Sequence, residues 1–267
     1  MMFDFLRAWL PECPPWAREL GLWREHRAIA RRHARLKTAW APHLQASREA
    51  ILAAAERCPQ RRSALVIGAG DCLDVPVAEL AAIFPKVVLA DIVVGRTALG
   101  WARKFPGKVE CVAWDASGAL AAVAARRAVL SATEAPKLFE HAEAGPPPGG
   151  ETDLVVSANC ISQLGLVPGH ALSAAAKDAD LPDRCAKAAA RRHLQWLAAR
   201  PSVRILLADL ERLNLSAEGK VLKRESLSAR YGLARPDRQW RWNLAPIPEW
   251  SPDFHRVHEV GAWIYGP

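Results

Sequence analysis

The chain has 267 residues, 51% of them apolar and 24% charged. That composition excludes disorder along the whole length and fits one α/β domain of about 200 residues with an appendage. No run approaches the roughly 18 uncharged apolar residues that cross a bilayer. The opening MMFDFLRAWLPECPPW is broken by Asp4 and Arg7, with no small-residue cleavage site after it, so neither membrane insertion nor export is expected. Six cysteines stand far apart, without a Cys-x-x-Cys pair or a Cys/His cluster at zinc spacing. A disulfide scaffold is excluded, no metal site is expected, and the thiols fit a reducing, cytoplasmic setting.

The net charge of +8 is uneven: residues 1–62 hold twelve Arg and Lys against six Asp and Glu, a balance of +6. Between about Trp16 and Arg62 the apolar positions Leu22, Ile29, Leu36, Trp40 and Leu44 recur at helical spacing with arginines between them. Pro42 is expected to break or kink that run, with a second helical piece at Ser47–Glu56. Residues 1–62 therefore read as a basic helical cap on a domain spanning 63–267.

From Ala64 the period changes. Short runs rich in Val, Ile and Leu (ALVIG, KVVLADI, VECVAWD) alternate with helical patterns (DVPVAELAAIF, RTALGWARKF). This is β-α-β-α-β, the mark of a parallel sheet covered on both faces. An alanine-rich helical stretch and the turn-rich GPPPGGE lead to a fourth strand, DLVVSAN. The helical RCAKAAARRHLQWLAAR leads to a fifth, SVRILLADL. QWRWNL and RVHEVGAWIY each alternate bulky and polar residues around a proline-rich loop, as an antiparallel pair closing the sheet does.

The most telling residues follow the first strand: Val66-Ile67-Gly68-Ala69-Gly70-Asp71-Cys72-Leu73-Asp74. A strand, a Gly-x-Gly turn and a helix let backbone pass close under a ligand and aim N–H groups at it. Asp91 ends the second strand, where a carboxylate can accept both hydroxyls of a ribose. Asp115 ends the third, in reach of an adenine amino group. A dinucleotide fingerprint would place its third glycine at 73, which is Leu73, and Asp71 and Asp74 would repel a pyrophosphate. Carboxylates here suit a ligand with an amino group and a sulfonium, which favours S-adenosylmethionine over NAD.

At these motifs the sequence resembles the class I S-adenosylmethionine-dependent methyltransferases, as a divergent member. VIGAGDCLDVP is similar to the first motif of that family, LADI to the acidic second, VAWDAS to the third and DLVVSANCISQL to the fourth. The resemblance implies a Rossmann-like, mostly parallel α/β sheet with an antiparallel C-terminal strand pair. It implies cofactor contacts from Gly68, Ala69, Gly70, Asp71, Asp74, Asp91, Ile92, Asp115, Ala116 and Asn159, with Asn159 facing the transferred methyl. Substrate-side candidates are Trp40, His43, Asn159, Gln163, His255 and His258, since additions before the first strand and around the last two commonly form the family's acceptor pocket. Tryptophans cluster at the same two ends of the chain.

The expected activity is methyl transfer to a small molecule held between the N-terminal helices and the strand ends. Two alternatives stand beside it. RNA could be the acceptor, with Arg24, Arg27, Arg31, Arg32, Arg35 and Lys37 as a phosphate platform. Or the fold could be an inactive scaffold, a reading motivated by Val66 and Cys72 where the family has an acidic residue and a third glycine. The acceptor and the oligomeric state are not legible.

Overall fold

The computed structural model describes residues 12–266. Three helices come first: α1 (Pro15–Glu19), α2 (Leu22–Arg35) and α3 (Lys37–Glu56). Then strands and helices alternate: β1 (Ser63–Ile67), α4 (Val77–Ile83), β2 (Lys86–Asp91), α5 (Arg96–Lys104), β3 (Val109–Ala113), α6 (Leu120–Arg126), α7 (Glu134–His141) and β4 (Leu154–Ala158). The chain continues through α8 (Leu166–Ala176), α9 (Leu181–Ala198), β5 (Val203–Leu215), β6 (Val221–Ser226), α10 (Leu227–Tyr231), β7 (Arg238–Ala245) and β8 (His255–Tyr265).

The strands make one sheet in the order β3-β2-β1-β4-β5-β8-β7, with β6 on the far end of β5. The first five in that order run parallel, and β8 and β7 are antiparallel. This is the expected Rossmann-like sheet with its antiparallel ending. β6, α8 and α10 leave no clear pattern in the sequence: β6 (VLKRES) is short, charged and nearly all exposed. No described helix is long and apolar enough to cross a membrane.

Helices cover both faces. Ala50, Ile51 and Ala54 of α3 pack with α4 on Val66, Val156 and Ile205. On the other face Ala190 and Leu197 of α9 pack on Leu65, Val155 and Leu206. Leu20, just past α1, joins Leu120, Val123 and Phe139 there. Residues before β1 therefore reach both faces, with α2 running between them; none of its own residues is buried.

Pro42 does not break the helix. α3 runs through it, and the interruption falls at Leu36, with φ −112° and ψ 26°. The two expected pieces are one helix. Pro42 is exposed, so the carbonyl its ring displaces, that of Thr38, turns to water at modest cost. The opposite side of the same turns is buried: Trp40, His43, Leu44 and Ser47. Trp40, 2% exposed, also donates its Nε1–H to the Leu244 carbonyl at 2.9 Å. Tertiary packing overrides local propensity here.

Replacing Pro42 by Ala should raise stability by about 1–2 kcal/mol, because a helix bond is regained at an exposed site. Trp40→Ala should cost about 3–5 kcal/mol through the cavity and the lost bond. Urea unfolding of both variants measures the two signs.

Candidate functional site

A cavity of about 590 Å³ opens over the carboxyl ends of β1, β2 and β4, the place where open α/β sheets bind ligands. Its floor is the turn after β1. Gly68 has φ +76°, and a side chain there would meet the Cys160 Cβ at 2.7 Å and the Ala158 carbonyl at 2.8 Å. Both the left-handed backbone and the close approach of the β4 loop require glycine. Gly70, at φ +49°, donates its N–H to Asp91 Oδ2 at 2.9 Å, and Val93 N–H reaches Oδ1 at 3.0 Å. Burial pushes the Asp91 carboxyl above the usual carboxylate range, and the two amide donors oppose that shift. Each oxygen keeps a lone pair for a hydroxyl.

All ten residues expected at the cofactor line this cavity, as do Trp40, His43, Gln163 and His258. His255 does not: its Nδ1 accepts the Ile247 N–H at 3.0 Å and holds the loop before β8. Three of the carboxylates have protein partners that bear on their expected roles. Asp71 pairs with His26 Nε2 at 3.2 Å and accepts the Thr97 N–H at 3.2 Å, so it ties α2 and α5 to the glycine turn. Burial would raise its carboxyl, but His26 and Thr97 hold it below the usual range. Asp115 accepts from Ser117 N–H (2.9 Å), Ser117 Oγ (2.7 Å) and Leu120 N–H (2.8 Å), and so starts α6 as a cap does. Asp74 accepts from Asn159 Nδ2 at 2.6 Å.

Asn159 is the most pointed of these residues. Its backbone is left-handed at φ +48°, a conformation that Asn tolerates best among residues with a side chain. With Nδ2 fixed on Asp74, its Oδ1 faces this cavity buried and without a partner among the described residues. An orphaned acceptor at this depth awaits a donor from a ligand. Cys160 beside it is no nucleophile: burial pushes its thiol up to about 12.

The other end of the cavity comes from the antiparallel strands. β5 carries a bulge: Asp209 lies opposite Val260, whereas Glu211 lies opposite Glu259. In an unbroken strand Asp209 and Arg212 would face opposite ways. The extra residue, Leu210, resets the alternation. Asp209 and Arg212 therefore share one face with Arg256 and His258 of β8 and Trp240 and Trp242 of β7. Strict alternation, the only signal read in the sequence, could not reveal this. Asp209 Oδ2 lies 3.0 Å from His258 Nδ1. Burial would raise the Asp209 carboxyl, but His258, Arg212 and His43 hold it below the usual range.

His43 of α3 completes this wall. Its ring stacks on Trp242 at 4.1 Å and 8°, and Nδ1 accepts the Trp240 Nε1–H at 3.0 Å. That bond leaves Nε2 as the protonated nitrogen of a neutral ring. Burial pushes its pKa down, so the ring is neutral at pH 7. Of the six basic residues considered for RNA, Arg32 and Arg35 instead turn onto Glu249, at 3.7 and 2.5 Å. Arg24, Arg27, Arg31 and Lys37 are exposed.

On the opposite face of the sheet His193 is 1% exposed, with Nε2 2.9 Å from Ser157 Oγ. Burial pushes its pKa down to about 4. Both His43 and His193 take a proton on unfolding at pH values where the native rings stay neutral. Stability should therefore be full above about pH 6.5 and fall as pH drops toward 4, by up to about 1.4 kcal/mol per pH unit for each ring. Urea titrations at pH 7, 6 and 5 measure the slope, and His193→Asn should flatten it.

No protein-family model matches the chain, and no curated protein matches it. Solved structures do. The 1,6-didemethyltoxoflavin-N1-methyltransferase of Burkholderia thailandensis, with bound S-adenosylhomocysteine, is 14% identical over 90% of this chain and 89% of its own, with a TM-score of 0.37. A SAM-dependent methyltransferase of Leishmania major is 15% identical over 92% and 82%, at 0.42. The glycopeptide N-methyltransferase MtfA, complexed with S-adenosylmethionine, is 12% identical over 80% and 93%, at 0.35. By its own strand order and glycine turn, this chain has the Rossmann-like fold of the class I methyltransferases that its motifs resemble.

Proposed function

We propose that the protein is an S-adenosylmethionine-dependent methyltransferase acting on a small molecule. The observation that carries this reading is the Gly68-Ala69-Gly70 turn, left-handed at both glycines, locked to the half-buried Asp91 carboxylate at the floor of the cavity. The residues present fit the cofactor. Asp91 would accept the ribose hydroxyls, Ile92 and Ala116 would border the base, and the orphaned Asn159 Oδ1 would accept from the amino group. Asp115 would contribute to the base site through its free lone pairs, as its carboxylate already holds Ser117 and the Leu120 N–H.

When bound, the cofactor supplies a methyl carbon on a sulfonium: an acceptor lone pair attacks that carbon, and the C–S electron pair leaves on sulfur. The chain's own task is to bring the acceptor in line and keep water out. The roof formed by α2 and the aromatic wall of Trp40, His43 and Trp242 do both. His258 also lies at the cavity, with Nδ1 3.0 Å from Asp209 Oδ2.

Calorimetric titration tests this reading. S-adenosylmethionine and S-adenosylhomocysteine should bind in the micromolar range and NAD should not. Asp91→Ala should weaken both at least tenfold, since a hydrogen bond to a charged group is worth about 1.5–3 kcal/mol. Binding of NAD alone, or undiminished affinity in a folded Asp91→Ala variant, would refute it.

A further inference from the structure

The walls of the cavity differ in charge. Asp71, Asp74 and Asp91 lie around the glycine turn, whereas Arg32, Arg212 and Arg256, with Asp209 as a carboxylate among them, line the end built from α2, β5 and β8. Most basic groups at that end are shared out. Glu249 is held by Arg35 at 2.5 Å and also meets Arg32 at 3.7 Å. Glu225 is held by Arg230 at 2.6 Å and lies 4.0 Å from Arg212.

Arg256 has no carboxylate within 4.0 Å among the described residues. Its guanidinium lies over Trp250 at 4.9 Å and Phe254 at 5.7 Å, and Arg32 shares Trp250 at 5.2 Å. Aromatic rings cover guanidinium faces and leave the N–H edges to bind in plane. Burial and the neighbouring Arg212 charge work against the Arg256 cation, and Glu225 supports it.

The unpartnered atoms tell the same story. Arg32 Nε, Arg212 Nε, Arg256 Nε and Trp242 Nε1 are buried without a hydrogen-bond partner among the described residues, and all four are donors at this one end. Buried donors in such number call for an acceptor-rich ligand. Glu225, the carboxylate nearest this pair of like charges, is already held by Arg230, so a bound oxyanion would offset repulsion that Glu225 only partly relieves.

Resting on the methyltransferase reading, we propose that the methyl acceptor is a small oxyanion, a carboxylate or a phosphate ester, whose charged group is held by Arg212 and Arg256 with the Trp242 indole N–H. The division of charge also fits the order of the site. A cationic sulfonium would sit toward the acidic floor, and an anionic acceptor across from it at the basic wall. The attraction between them brings donor and acceptor together before transfer.

The experiment titrates benzoate, phenyl phosphate and the neutral benzamide into full-length protein saturated with S-adenosylhomocysteine, following tryptophan fluorescence and heat. At least one anion should bind tenfold or more tightly than benzamide, and whether it is benzoate or phenyl phosphate tells the carboxylate from the phosphate. Arg212→Gln and Arg256→Gln should each remove that preference while leaving S-adenosylhomocysteine affinity unchanged, and Arg256→Lys should restore part of it. Equal binding of the three probes to the wild type overturns the proposal alone. So does loss of S-adenosylhomocysteine binding in variants that still melt normally, because the arginines would then serve the cofactor's own carboxylate. Failure of S-adenosylhomocysteine to bind the wild type overturns the methyltransferase reading, and this proposal with it.

Discussion

One half-buried carboxylate organises the site. Asp91 sits at the end of a central strand with burial opposing its charge, and its two amide donors come from the β1 turn and from its own loop. A parallel sheet ends in a row of separate loops, each free to wander unless something ties it to the next. Here Asp91 ties the loop after β2 to the glycine turn, Asp71 ties that turn to α2 and α5, and Asp74 ties it to Asn159 after β4. The four aspartates at the β1, β2 and β3 ends, Asp71, Asp74, Asp91 and Asp115, would repel each other if bare. Three of them instead hold neighbouring segments in place.

What the chain order reveals follows from where the causes lie. The parallel strands, the glycine turn and Asp91 were legible because each rests on local chemistry: apolar runs, positive φ and a polar residue at a strand end. The role of Asp115 was less legible. An Asp followed by Ala-Ser-Gly suits a cap as well as a ligand contact, and here the carboxylate has three partners within five residues. Pro42 was misjudged because its effect depends on which side of the helix meets water. His255 was misjudged because its partner, Ile247, lies across a loop whose path the sequence does not state.

The wall formed by Asp209, Arg212, Arg256 and Trp242 was invisible for a different reason. Its members share a face only after the bulge at Leu210, and nothing in the composition of SVRILLADLERLNL marks where the alternation slips. His43 and Trp242 likewise meet across the fold, from α3 and β7, with ring planes 8° apart. Helical periodicity identified each side of that contact as apolar or aromatic and gave no hint that they would stack.

The bulge makes β5 a jointed strand. Up to Leu210 its side chains are set by β4, β8 and the two cores; beyond it β4 no longer pairs with the strand, which lies between β6 and β8. A change of one residue at the joint would turn every later side chain of β5 over, exchanging the face toward the cavity for the face away from it, while the strand below kept its register. Under the proposed acceptor reading, the chain would therefore carry a point at which a single insertion or deletion changes the side chains offered to the cavity.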